Sequence, residues 1–414
     1  GNENAIDAFA AELNSTFGSK FSNKFLVSYT ATTDPKRTSN SDLFPFVDIY
    51  KDGDPYMSFG YELFSYKNQV LNNTFSVIDN FTISLDKHTL TAGLAYDNIF
   101  VNNSYIREGT SYYRYNSLDD FINDAKPIGF GVTYGYEGQD ITGVKMSFGL
   151  ASAYIQDEWQ LNKDFKVTYG IRAELPLYHN KLVDNPGIAA LDFAGYKFKV
   201  GEWPNSKVQI NPRVGFNWDV KGDRSIQVRG GTGIFSGVLP FVWFTNQPTS
   251  SGIVQSPELG LVAADLPADF RFNPDFKAQV AKYPSLFPPT TGRLASKPAL
   301  AEVNKDFKMP QIWRTNLAGD FELPANMIFT VEALFSKDIN SIVQKNVNLP
   351  NPNRVFSGGD TRAYGGGNKV NSNIGSAMVL DNSDQGYQAL LKKKKKKNFQ
   401  YGFSGMIAYT FNLS

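Results

Sequence analysis

The sequence predicts an all-β chain folded as a transmembrane antiparallel β-barrel with short periplasmic turns and long extracellular loops. Three observations carry that prediction. Between Ala153 and Leu175 the chain reads AYIQDEWQLNKDFKVTYGIRAEL, two alternating arms that each match the roughly 9 to 11 residues a tilted strand needs to cross hydrocarbon, against roughly 5 to 6 for an ordinary strand. The unit recurs along the chain, and its short turns alternate with long connections, as they do in outer-membrane barrels. Aromatic residues make up 14% of the chain, with 33 Phe and 21 Tyr, which suits girdles at two membrane interfaces.

Each arm divides into two faces. Phe165, Val167, Tyr169, Ile171, Ala173 and Leu175 share one side, and Lys166, Thr168, Gly170, Arg172 and Glu174 the other, because strand side chains alternate with period two. In order, the predicted hairpins are 5–17 with 24–32, 74–85 with 89–101, the opening example extended back to Val144 (144–175), 208–220 with 225–235, 311–321 with 327–337, and one from Gln385 that turns near the lysine run Lys392–Lys397 and returns over 399–411. That run is read as a solvated turn, with lipid head groups as the alternative contact. The long connections are rich in Pro, Gly, Asn and aromatics, and within one of them SLDDFINDA places a serine cap ahead of acids, so a short helix is expected from Ser117. The glycines of RGGTGIFSG read as a site of close backbone approach within a strand rather than a nucleotide fingerprint.

Composition narrows the function classes. The net charge is +1, from 41 basic and 40 acidic residues, so no overall field attracts nucleic acid. Cysteine is absent, so disulfides and thiolate metal sites are excluded. The two histidines, His88 and His179, have no metal-ligand spacing. A catalytic triad has little to draw on, so no enzyme activity, metal or cofactor is expected. On composition alone, an aromatic-rich soluble β protein such as a lectin competes with the barrel. The first residues, GNENAIDAFAAEL, lack the basic start and apolar core of a signal peptide, and the chain is expected to begin within a mature protein.

The stretches DKHTLTAGLAYD, AYIQDEW, VTYGIR, NPRVGFNW and RGGTGIFSG, in that order and spacing, resemble TonB-dependent outer-membrane receptors. They look most like the large Bacteroidetes type with a carboxypeptidase-regulatory-like extension. The resemblance implies an outer-membrane location, lipid as surroundings, and uptake of a surface-bound ligand (peptide or protein, glycan or iron chelate) powered through TonB and a plug. A surface lipoprotein or other subunits are possible partners within that resemblance. No plug, no TonB box and no terminal aromatic are legible, and six hairpins supply about twelve strands where large plugged transporters use about 22. The expectation is therefore a single barrel domain over 1–414 that is part of a larger barrel. The rival readings are a barrel serving as a structural or adhesive subunit and a soluble glycan-binding protein.

Candidate site residues fall into two groups. Arg172, Glu174, Arg213, Asp219, Arg229 and Glu332 lie on predicted inward faces, where they would line a conduit or form a ladder of neighbouring charges. Phe241, Trp243 and Phe244, in LPFVWFTNQP, form a candidate aromatic binding platform on a loop, against packing of that loop on its neighbours. The amphipathic segment 265–289 is expected to cross the barrel mouth as a lid.

Overall fold

The structure is a computed structural model that describes residues 5–34, 42–325, 327–352, 354–355, 363–364, 368–400 and 403–413. Six antiparallel hairpins form the wall: Ala5–Phe17 with Phe21–Asp34, Gln69–Ser84 with His88–Ser104, Val144–Asn162 with Phe165–Tyr178, Gln209–Asp219 with Ile226–Ser236, Gln311–Leu323 with Met327–Asn346, and Tyr387–Gln400 with Phe403–Leu413. Each hairpin also pairs with the next in chain order, so the wall strands run in sequence across one large sheet. The first turn is tighter than expected, because Ser22 and Asn23 pair with Thr16 and Ser15.

Antiparallel register gives the wall two faces, with local irregularities at Phe165/Lys166, Gln311/Ile312 and Lys397/Gln400. One row reads Leu13, Phe25, Asp79, Leu94, Ala153, Ala173 and Ile210 across seven strands. Leu13 is 61% and Leu94 64% exposed, the pattern of a surface whose solvent is lipid. Asp79 is the exception in this row, and its carboxylate accepts a 2.6 Å hydrogen bond from Asn23. Among the described residues the edge strands Ala5–Phe17 and Phe403–Leu413 do not pair with each other.

The lysine run is not a turn. Lys392–Lys397 lies within the strand Tyr387–Gln400, with Lys392 opposite Glu332 and Thr410, and Lys393 opposite Val331 and Tyr409. Register is set upstream, where Leu391 stands opposite Ala333, and pairing continues through the lysines because their backbone groups must still be satisfied. The strand runs on to Gln400 and its partner begins at Phe403, and residues 401–402 lie outside the described residues.

The long connections fold upon themselves. A five-stranded sheet runs in the order Leu259–Val262, Gly129–Val132, Tyr112–Tyr115, Phe46–Lys51, Asp54–Phe59. Val47, Tyr113, Phe130 and Val132 are fully or almost fully buried on its core side, against Phe270 and Phe287. Helix α1 (Leu118–Ile122) begins where the sequence placed it, with the Ser117 hydroxyl accepting from Asp120 N at 3.1 Å. After it come the single turn α2 (Pro186–Ala189), α3 (Phe241–Thr249) and α4 (Phe276–Lys282). The segment expected as a lid contributes Phe270, Leu286 and Phe287 to the core of this surface module. A second core joins Met146 and Phe148 of the wall to Leu239, Phe244 and Val303.

Candidate functional site

The six predicted inward charges all fall on one face of the wall. Arg172 stands opposite Asn211, Glu174 opposite Gln209, Arg213 opposite Gly233, and Asp219 opposite Gln227, while Arg229 and Glu332 both flank Ala318. This is the face that carries Met146 and Phe148, on which α3 packs.

Two of these charges, Arg172 and Glu174, sit in a transverse hydrogen-bond ladder. Tyr154 bonds Asn80 through its hydroxyl, and Arg172 lies over the Tyr154 ring at 5.0 Å. Arg172 Nε donates to Glu174 at 2.7 Å and its Nη2 to Ser152 at 2.8 Å. The other Glu174 oxygen accepts from Asn211 at 3.0 Å, and Asn211 in turn accepts from Ser236 and Gln311, each at 2.9 Å. An added Cβ at Gly93 would strike the Tyr154 ring, so glycine there lets the ring lie across the face toward Asn80.

Arg213 donates to Gln156 at 2.7 Å, and Arg229 pairs with Asp320, which also accepts from Thr330 at 2.6 Å. Asp219 does something else: it accepts from the backbone N–H groups of Gly222 at 3.0 Å and Arg224 at 2.9 Å, closing its turn. Sequence reasoning missed Asn80, Tyr154, Asn211, Gln311 and Asp320. Their only signal is polar character at inward parity, which does not show who bonds whom.

The aromatic platform does not form. Phe244 has 0% exposure and packs on Tyr178 and Phe307 at ring distances of 5.9 and 5.8 Å. Phe241 packs on Phe148 at 5.3 Å, which leaves Trp243, 38% exposed, as the member with substantial surface. The cause is the helix: α3 turns its face toward the wall and is pinned there by buried polar groups. Asn103 donates to Thr245 at 2.9 Å, while Gln247 accepts from Val303 N at 2.7 Å and donates to the carbonyls of Val200 and Glu202 at 3.0 and 2.7 Å.

Glu108 in the surface module is only 6% exposed. Its carboxylate lies over Gly131, where an added Cβ would collide with it. Burial raises its pKa to about 7, the charge of Glu258 adding to the effect and those of Arg107 and Arg114 opposing it. Arg107 Nε lies 3.7 Å from Glu108, and the same guanidinium bonds Glu258. Glu302, which accepts from Lys199 N at 3.0 Å and Tyr196 at 3.3 Å, is likewise raised by burial to about 7.

A two-faced wall of long strands, with exposed aliphatics on one side and a polar ladder on the other, is the geometry of a membrane-spanning sheet. The family model described as "Outer membrane beta barrel domain" matches residues 1–414. The chain belongs to this family.

This outer membrane β-barrel domain is similar in fold to the outer-membrane transporter YddB of Escherichia coli, at 9% identity and a TM-score of 0.56, over 99% of this chain and 42% of that one. The siderophore receptor PirA of Pseudomonas aeruginosa aligns at 9% identity and a TM-score of 0.51, over 100% and 50%. A mutant of the ferric enterobactin receptor PfeA, also from Pseudomonas aeruginosa, aligns at 10% identity and 0.53, over 100% and 44%. The chain thus spans half or less of the length of these structures. No curated protein sequence matches it. The family places the chain in the bacterial outer membrane, with lipid against its apolar face.

At the short-turn end of the outer membrane β-barrel domain, the QDEW stretch has a physical role. Asp157 lies at outward parity opposite Leu90 and Tyr169 yet is only 5% exposed. One of its oxygens lies 2.7 Å from His88 Nδ1 and accepts from the Tyr169 hydroxyl at 2.8 Å, while the His88 ring stacks on Trp159 at 5.5 Å. The rings beside it help keep the carboxylate from solvent, and amphipathic rings of this kind suit head-group depth.

Proposed function

We propose that this domain is the wall and surface-loop portion of a TonB-dependent transporter that binds a ligand at the cell surface and admits it to the periplasm. The observation that carries the reading is the pairing of a polar, hydrogen-bonded inner face with a folded surface module at the long-connection end of the same wall. A lumen needs the first, and capture of a ligand larger than a bare ion needs the second. Arg172, Glu174, Arg213, Arg229 and Glu332 face the lumen in this reading and steady the wall or contact a plug. The likeness to a transporter and to siderophore receptors supports the reading at the level of fold. The order of QDEW, GIR and NPRVGFNW supports the finer assignment to the large Bacteroidetes type.

The edge strands Ala5–Phe17 and Phe403–Leu413 meet further strands of the same barrel in this proposal, since unpaired backbone in lipid is prohibitively unfavourable and the chain covers 42 to 50% of the three structures above. Energy comes through TonB acting on a plug outside these 414 residues. The first test is fractionation of cells expressing the complete gene. Retention in carbonate-washed outer membrane supports the reading, and recovery as a soluble protein ends it. Uptake that survives loss of TonB would instead leave a barrel without active transport.

A further inference from the structure

Three connections meet around a cavity of about 260 Å³ in the surface module. Its deep walls are largely apolar and aromatic: Tyr66 and Phe276 meet edge to face at 5.8 Å, with Tyr134, Val280, Pro284 and Phe287 beside them, while Glu137, Gln139, Asp140 and Lys277 supply the polar part of the lining. The volume lies just under the roughly 300 Å³ at which drug-sized pockets begin, so it holds one ring with a short substituent. Tyr134 and Phe287 are buried in the module core, so the deep wall is rigid, whereas Glu137–Asp140 at the rim is exposed.

The rim carries a charged latch. Asp140 lies 2.8 Å from Lys67 Nζ and 3.2 Å from Lys277 Nζ, so one carboxylate bridges two ammonium groups from different connections. All three lie near water, where ion pairs of this kind contribute little. A competing carboxylate therefore displaces Asp140 at little expense, while a ring attached to it gains an apolar wall that water fills poorly.

We infer that this cavity binds a compact aromatic carboxylate, with the ring inside and the carboxylate between Lys67 and Lys277 in place of Asp140. The inference deepens the receptor reading and rests on it for the direction in which the module faces. Asp140 is an internal mimic of the ligand's anion. Removing its charge frees both lysines, so the substitution strengthens binding.

The test uses the complete protein encoded by the gene, purified in detergent, and three probes of one size, benzoate, benzyl alcohol and benzylamine, with binding read by ligand-observed NMR. Benzoate is expected to bind about tenfold more tightly than either counterpart, the scale of one or two charge-assisted hydrogen bonds. Asp140→Asn raises benzoate affinity several-fold and leaves benzyl alcohol unchanged. Lys67→Gln with Lys277→Gln abolishes the preference for the anion, and Ala281→Trp, which fills the rim, abolishes binding of all three. Should Ala281→Trp fail to fold, the exposed changes at Asp140 and Lys277 still decide. Equal binding of the three probes, or benzoate affinity that falls or stays level in Asp140→Asn, overturns the proposal. Neither result bears on membrane fractionation, so a failed site and a failed receptor reading are told apart.

Discussion

The wall and the surface module use the same apolar residues in opposite ways. In the wall, Leu13, Leu94, Ile171 and Leu317 stand exposed, whereas in the module Val47, Tyr113, Phe130 and Phe270 are sealed within a core. The difference lies in what surrounds each region. Against lipid an aliphatic side chain has no reason to hide, and the wall is held by its backbone ladder and the polar bonds of its inner face. Surrounded by water, the module needs a close-packed interior. One chain thus carries two hydrophobic patterns, and each is legible only once its solvent is known.

The largest expected effect breaks the module and spares the wall. Phe130→Ala removes a fully buried ring that packs against Tyr113 and Phe270 at 4.9 Å each, and is expected to destabilise the module by about 3 to 5 kcal/mol. Proteolysis of residues 105–143 should accelerate while heat-resistant mobility of the wall on gels stays unchanged. Loss of both together would mean that the two regions are one cooperative unit.

The next effect strikes the wall. Ile171→Arg on the lipid face should cost about 2 to 4 kcal/mol at mid-membrane, whereas Thr168→Arg on the opposite face should be nearly neutral. Folding yield into lipid vesicles reads the difference, and the reverse order would invert the facing of every strand.

Acidity sharpens the comparison further. Glu108 titrates near 7 when folded, above the usual carboxylate value, so its protonated form favours the folded module. That contribution is fully present below about pH 4.5 and is lost as pH rises through about 7. Protection factors of module amides, normalised for the intrinsic pH dependence of exchange, should rise between pH 8 and pH 5, and Glu108→Gln should flatten the change. An unaltered profile in that variant would shift the role to Glu302. The smallest effect belongs to the inner ladder: Glu174→Gln keeps the shape but weakens the bond to Arg172, at about 1 kcal/mol or less. A loss of several kcal/mol would mark that charge as essential to the wall.

The wall was readable because each strand pairs with its chain neighbour and repeats one two-residue pattern. His88–Ser104 and Phe165–Tyr178 begin within a residue of their predicted starts. Strand length was underestimated at some ends, since Phe165–Tyr178 and Met327–Asn346 run to 14 and 20 residues, past the expected 175 and 337. Parity alone places the six charges on one face of the wall, but it does not tell a conduit charge from a turn acceptor such as Asp219. Phe244 was misread because exposure in a Pro-flanked loop was assumed, while the helix that buries it is pinned by Asn103 and Val303, remote in sequence. The surface sheet left no local trace at all. Its strands are four to six residues long, and Phe46–Lys51 finds its parallel partner at Tyr112–Tyr115.

That last pairing bears on the order in which the protein assembles. Each wall hairpin closes a loop of only a few residues, at low entropic cost, and can be laid beside the one before it. Phe46 must instead meet Tyr112, and Val132 must meet Leu259, across chain segments that several wall strands interrupt. Those meetings become cheap only when the finished wall holds the connections together at one rim. Assembly is therefore expected to run from bilayer to surface, with the module forming last, and pulse-labelled amides should show protection of 165–178 before 112–115.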